Sequence, residues 1–195
     1  MREATIKRET KETNIDLTIN LDGKGTSNIN TGCGFFDHML ELFARHSRFD
    51  LNVVCNGDIN VDYHHTVEDV GIVLGQAIKK ALGDMKGIIR YGTTILPMDE
   101  SLILTAIDIS GRSYLKFDLP TRAGRIGDFP VELVEEFFLA FVRHAGITLH
   151  VVKMAGTNAH HIVEGTFKSF ARSLKSAVAI DKEFANEIPS TKGVL

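Results

Sequence analysis

Two short runs, D-Y-H-H-T-V-E-D at 62–69 and N-A-H-H-I-V-E-G at 158–165, each place two adjacent histidines just ahead of a glutamate. Neutral imidazole and carboxylate together form a donor set suited to Mn, Fe, Zn or Ni. A helix turns about 100° per residue, so positions i, i+1 and i+4 at its start fall within one arc of about 100°. His64, His65 and Glu68 can therefore point into one site, and so can His160, His161 and Glu164. One His-His pair in a loop is most often solvated or a cap. Two pairs with the same glutamate spacing, in register within a repeat, argue for metal.

The register comes from a duplication, the first thing to seek in a chain of this length. FFDHMLELFARHSRFDLNVV followed by DYHHTVEDVGIVLGQAIKKAL is matched by ELVEEFFLAFVRHAGITLHVV followed by NAHHIVEGTFKSFARSLKSAV. His46 lies over His144, 98 positions on, while His64 lies over His160, 96 positions on. Eight residues before His46 is His38, and eight before His144 is Glu136, although Glu135 beside it could equally be the inward one. His38, His64, His65, Glu68, Glu136, His160, His161 and Glu164 then supply eight donors, four for each of two ions. An octahedral ion so held keeps positions open, as catalytic sites do, and the lack of sulfur donors favours Mn(II) over structural zinc. Cys33 and Cys55 stand in no C-x-x-C spacing and are expected to be reduced bystanders.

The elements that must position these donors follow from periodicity. Apolar helical patterns cover 35–47, 66–84, 131–145 and 161–180, with strands at 50–55 and 148–154 between them. Carrying the 98-residue offset backwards sets the alternating run 14–19 over 112–117, and Glu3–Thr10 is matched with Ser101–Ile109. The order is strand, strand, helix, strand, helix, twice, so the expected fold is α+β: two half-domains packed as a sheet/helix sandwich. The halves are 1–90 and 91–195, the second including the C-terminal tail, joined near Gly87–Gly92 into one catalytic domain.

The 195 residues are 44% hydrophobic and 24% charged with a net charge of −3, which fits a globular protein and gives no reason to expect a nucleic-acid partner. No apolar run approaches the roughly 18 residues of a membrane span, and MREATIKRET is not of signal-peptide type, so the expected location is cytoplasmic with no membrane partner.

Several residues break the repeat. Lys168 lies one turn after Glu164 where the first half has Ile72; Arg90 stands in G-I-I-R-Y-G, Arg112 in S-G-R, and Ser190 and Lys192 in the closing P-S-T-K-G-V-L. Such cations and hydroxyls are what a phosphate monoester recruits. Glu12 and Asp99–Glu100 are acids on or beside strands, and His46 and His144 are helix C-terminal residues, of which His46 could also meet an anion.

D-Y-H-H-T-V-E-D, N-A-H-H-I-V-E-G-T-F-K, F-F-D-H-M-L, P-M-D-E and P-S-T-K-G-V together resemble the signatures of the imidazoleglycerol-phosphate dehydratase family, over essentially the whole chain. With no phosphatase domain ahead of residue 1, the resemblance is to the monofunctional form. It implies a histidine-biosynthesis hydro-lyase with two Mn(II) per active site, the eight ligands above, and a 24-subunit homo-oligomer whose sites are completed by neighbouring subunits. It implies substrate contacts at Glu12, Arg90, Arg112, Lys168, Ser190 and Lys192, with His46 a weaker candidate, the first and last of these serving different subunits' sites. Some relatives carry His at the Glu136 position, so ligation there rests on Glu replacing it. The implied substrate is imidazole glycerol phosphate, dehydrated to imidazole acetol phosphate. The expected route is a metal-stabilised imidazolate, a diazafulvene-like intermediate, and proton removal by Glu164, Glu12 or Asp99. A metal buffer and a phosphate-ester hydrolase are the rival readings.

Overall fold

The computed structural model describes residues 2–120 and 124–195. The chain begins as a hairpin because E-A-T-I-K-R-E and T-N-I-D-L-T-I-N both alternate: β1 (Glu3–Glu9) and β2 (Thr13–Asn20) pair antiparallel, and Ile15, Leu17 and Ile19 all point into the core. β3 (Ser27–Asn30), α1 (Gly34–Ser47), β4 (Asp50–Gly57) and α2 (His64–Leu82) complete the first half, with sheet order β1-β2-β4-β3. The second half runs β5 (Tyr91–Met98), β6 (Ser101–Asp108) and β7 (Tyr114–Asp118). A small hairpin of β8 (Arg125–Ile126) and β9 (Phe129–Pro130) follows, then α3 (Leu133–Ala145), β10 (Thr148–Ala155) and α4 (Ala159–Val178). Its sheet order is β5-β6-β10-β7.

The α+β duplicated sandwich stands, with one further strand in the main sheet of each unit: three strands of the four-stranded sheet, not two, precede the first helix of each half. The strand correspondence read at an offset of 98 is corrected by the pairing. Leu17 faces Val53, and Thr105 faces Val151, so Leu17 corresponds to Thr105, 88 positions on. Glu3–Glu9 is thus the counterpart of β5, and β2 of β6. The second half carries about ten extra residues between β7 and α3, where the small hairpin sits. Strand alternation has period two, and two registers that differ by an even number of residues look alike.

The helices lie between the sheets. α2 rests on β1 and β2 and α4 on β5 and β6, while α2 crosses onto α3 and α1 onto α4. Phe43 stacks on Phe170 at 5.6 Å between ring centroids, and Phe138 meets both Phe167 and Phe170. The α2–α3 contact is closer still, because Gly71 and Gly75 present bare backbone. A Cβ at Gly71 would lie 2.7 Å from the carbonyl oxygen of Phe137, and one at Gly75 2.6 Å from that of Phe141. Backbone atoms cannot move aside as a rotamer can. Gly75→Ala should therefore cost about 1–3 kcal/mol of stability by overpacking, read as a lower urea midpoint with an unchanged m-value.

Candidate active site

Both histidine pairs occupy the first turn of a helix that begins two residues earlier than periodicity suggested, so the one-arc geometry applies to them. The α4 start is fixed by Asn158, whose side-chain oxygen accepts from the backbone N–H of His160 and His161. At α2 the Asp62 carboxylate accepts from the His64 N–H at 2.7 Å.

The structure brings His38, His160 and Glu164 together, with one ligand atom from each within 4.8 Å of the others, the only such group of three among the described residues. The Glu164 carboxylate is the hub. Its Oε2 lies 3.0 Å from His160 Nε2 and 3.8 Å from His38 Nε2, and its Oε1 accepts from Lys168 Nζ at 2.6 Å. Glu164 is only 8% exposed. Burial raises its pKa, but Lys168 and then the histidines outweigh burial, and the net shift is downward. Lys168, expected to meet substrate, is thus committed to a candidate ligand.

In the first half His64 Nε2 lies 3.6 Å from Glu68 Oε2. Glu136 sits on α3, which packs along α2; it is half-buried where Glu135 is exposed, so Glu136 is the inward one. The second histidine of each pair is held by a carboxylate at Nδ1: His65 by Asp58 at 2.9 Å, His161 by Glu100 at 2.7 Å. This leaves Nε2 facing outward, where Glu12 approaches His65 at 3.7 Å and Asp99 approaches His161 at 3.8 Å. Orienting carboxylates of this kind are standard support for imidazole ligands. Asp58 was not singled out from sequence, and Glu100 was named only beside Asp99. The signal for Glu100 was the strand offset, since 88 positions place Glu12 over Glu100. Glu100 also accepts the N–H groups of Thr157 and Asn158, and with His161 as the largest cause its pKa falls to about 2. Asp99 is 79% exposed at a left-handed hairpin position, φ 49°.

The expected phosphate contacts converge elsewhere. Arg90, Arg112, Ser190 and Lys192 line one cavity of about 280 Å³ with the tail. The Arg90 guanidinium grips Asp108 through Nε at 2.7 Å and Nη2 at 3.2 Å and reaches the Pro189 carbonyl at 2.9 Å. Arg112 lies 3.6 Å from the same carboxylate and is exposed. His46 lines a separate cavity of about 820 Å³ with Arg45, Arg48, Arg172 and Lys175. Burial and then the surrounding cations, Lys168 first, lower its pKa, so His46 is a neutral donor among charges.

Residues 31–174 match the family described as Imidazoleglycerol-phosphate dehydratase. Relatives of that name from Azorhizobium caulinodans and Xanthobacter autotrophicus are 62% and 60% identical over 195 residues, 100% of this chain and 99% of each relative. The chain belongs to the imidazoleglycerol-phosphate dehydratase family. A crystal structure of an imidazoleglycerol-phosphate dehydratase from Staphylococcus aureus superposes with a TM-score of 0.84 at 41% identity, covering 92% of this chain and 99% of that one. One from Pyrococcus furiosus gives 0.84 at 35% identity, over 97% and 100%. As a member of the imidazoleglycerol-phosphate dehydratase family the chain is an enzyme, a hydro-lyase. Its matched stretch spans all eight donors, while Glu12, Ser190 and Lys192 lie outside it. No helix among the described residues is long and apolar enough to cross a membrane. Cys33 and Cys55 are buried, which pushes both thiols up to about 11 and leaves them inert.

The donors fit a divalent cation. They are nitrogen and oxygen only, Glu164 is held ionised, and Nδ1 anchoring aims two imidazoles. Asp58 raises the pKa of His65 and Glu100 that of His161, each above 6.5. Protons therefore compete with a cation at a higher pH than at an isolated histidine. Mn(II) affinity should fall as pH drops through those raised values, and Glu100→Gln should move the fall to lower pH, as titration calorimetry at stepped pH would show.

Proposed function

We propose that this chain dehydrates imidazole glycerol phosphate to imidazole acetol phosphate in histidine biosynthesis, with two Mn(II) per site held by His38, His64, His65, Glu68, Glu136, His160, His161 and Glu164. The observation that carries the reading is the convergence of His38, His160 and Glu164, one member from each expected ligand type. Divalent cations on these donors supply the Lewis acidity that lets an imidazole ring lose its N–H proton near neutral pH.

The remaining chemistry falls to the chain. The electron-rich ring expels the hydroxyl on its neighbouring carbon, which takes up a proton and leaves as water. A carboxylate then removes the C–H proton of the next carbon, and the enol rearranges to the ketone with phosphate retained. Of the three carboxylates considered, Glu164 is fully engaged by Lys168 and His160, and Asp99 is on an exposed turn. Glu12 is the base we favour: its carboxylate makes no hydrogen bond among the described residues and stands 3.7 Å from His65 Nε2. General base catalysis of this kind is worth roughly 10²–10⁴-fold.

The phosphate end implies an oligomer. Arg90 donates its backbone N–H to Ala177 at the far end of α4, and β5 carries the chain from Arg90 to the turn bearing Asp99 and Glu100. Eight strand residues span roughly 25 Å and twenty helix residues about 30 Å. An imidazole ring joined by a short carbon chain to a phosphate is far shorter than either. We read the cavity of Arg90, Arg112, Ser190 and Lys192 as serving the metal donors of another copy, in keeping with a 24-subunit homo-oligomer in which residues 1–90 and 91–195 act as halves of one catalytic domain.

Chelator-stripped protein is expected to form keto product from imidazole glycerol phosphate only after Mn(II) is added, with no free phosphate. Phosphate release would favour a metal-dependent hydrolase, and bound metal without turnover a metal buffer. Lys192→Ala and His160→Ala variants, each inactive alone, should regain activity when dissociated and reassembled together. No recovery in demonstrably mixed oligomers would show that each chain builds its own site.

A further inference from the structure

The turn that carries Glu12 is fastened to α2 in a way that its counterpart in the second half is not. Thr13, the residue after Glu12, is buried and donates its hydroxyl to Asp69 Oδ2 at 2.5 Å, while the other oxygen of Asp69 accepts from Arg8 Nη2 at 3.0 Å. Asp69 is 6% exposed and follows His65 by one helical turn, so it shares the face of α2 that carries this candidate ligand. Arg8 lies on β1 and Thr13 opens β2, so one carboxylate holds both arms of the hairpin. The tip is tied as well. The Thr10 hydroxyl accepts the N–H groups of Glu12 and Thr13 at 3.1 and 2.9 Å, and the Glu12 carbonyl accepts from the N–H of Asp58, the residue that orients His65.

At the repeat-related places the second half has Gly165 for Asp69, Ser101 for Thr13, Leu96 for Arg8 and Met98 for Thr10. None of these can rebuild the fastening. There the carboxylate at the Glu12 position, Glu100, fastens its own turn: it accepts from Thr157, Asn158 and Ser101 and holds His161 Nδ1. A carboxylate occupied by four partners is not available to take a proton from carbon. Where Asp69 does the fastening, Glu12 is left unengaged beside His65.

We infer that Asp69, through Thr13 and Arg8, is a positioning residue that fixes the Glu12 carboxylate against the metal donors and frees it for chemistry. The inference rests on the reading of Glu12 as the base. Asp69 touches neither substrate nor reacting atoms, so its effect belongs on kcat and passes through Glu12.

The test uses the Mn(II)-loaded full chain. Because Asp69→Asn leaves the Arg8 charge without its partner and can cost folding, Thr13→Val carries the measurement, removing one donor and keeping the shape. Thr13→Val should lower kcat by up to about a hundredfold, the cost of a catalytic group misplaced by about an ångström. KM, Mn(II) stoichiometry and Tm should change little, and Thr13→Ser, which keeps the hydroxyl, should restore the rate. On a Glu12→Gln background the added Thr13→Val change should cost nothing more, since a residue acting through Glu12 has nothing left to act on. Losses that multiply in the double variant, or loss of metal in Thr13→Val, would overturn the inference. A Glu12→Gln enzyme with undiminished kcat would overturn it too, by removing Glu12 as the base, while leaving the dehydration itself standing. Absence of keto product from the unaltered enzyme would instead defeat the reading of function.

Discussion

The close contact between α2 and α3 sets where everything else can lie. Gly71 and Gly75 let the carbonyls of Phe137 and Phe141 approach to a distance at which no side chain fits. Helices crossing this closely have one translation and one rotation available to them, and interiors packed at crystal-like density do not deform smoothly away from it. His64 and Glu68 lie on the same helix, one or two turns ahead of Gly71, and Glu136 directly precedes Phe137. The contact that excludes a methyl group therefore also fixes the spacing of the candidate donors His64, Glu68 and Glu136. On the other diagonal, α1 and α4 meet through Phe43 and Phe170, and His38 arrives at Glu164. Ligand geometry is inherited from helix packing, and the sheets on either side serve to clamp it.

Within that frame the two halves use their carboxylates differently. Both need one acid to orient the second histidine of the pair: Asp58 on the strand side of α2 in the first half, Glu100 on the β5–β6 turn in the second. Since Glu100 is the counterpart of Glu12, the second half uses for orientation the position that the first half keeps open. Duplication supplied two copies of every donor, and the asymmetry that a reaction requires entered through single positions such as Asp69 against Gly165 and Lys168 against Ile72. Lys168 keeps Glu164 ionised despite its burial, a task that Glu68, more exposed, does not impose on Ile72.

How much of this was legible in the sequence depends on what repeats. The helices and the histidine–glutamate runs that open two of them were, because His64-His65-Glu68 and His160-His161-Glu164 keep identity as well as pattern, and identity fixes an offset without ambiguity. The strands were not. I-D-L-T-I at 15–19 and I-L-T-A-I at 103–107 share little beyond a period-two strand pattern, which tolerates a slip of ten residues, and so the third strand and the match of Glu12 with Glu100 stayed hidden. The convergence of Arg90, Arg112, Ser190 and Lys192 could be anticipated from chemistry. Their ties to Asp108 and to the Pro189 carbonyl could not, since nothing in sequence relates residues 90, 108 and 189.

Arg90 and the candidate donors His160, His161 and Glu164 stand at opposite ends of α4, and this separation has a physical logic. Gathering Arg90, Arg112 and Lys192 beside divalent cations within one chain would set like charges together with no anion to neutralise them, a cost that the chain alone would bear. Placed a strand's length away, Arg90 and Arg112 share the Asp108 carboxylate, while at the other end Glu164 is paired with Lys168 and Glu100 with His161. On the proposed function, a phosphorylated substrate spanning two copies would bring the charge that makes their juxtaposition favourable. On the proposed function, the substrate's two ends, one a ring that seeks cations through nitrogen and the other a phosphate that seeks guanidinium and ammonium, would map onto the two ends of the same helix in different chains.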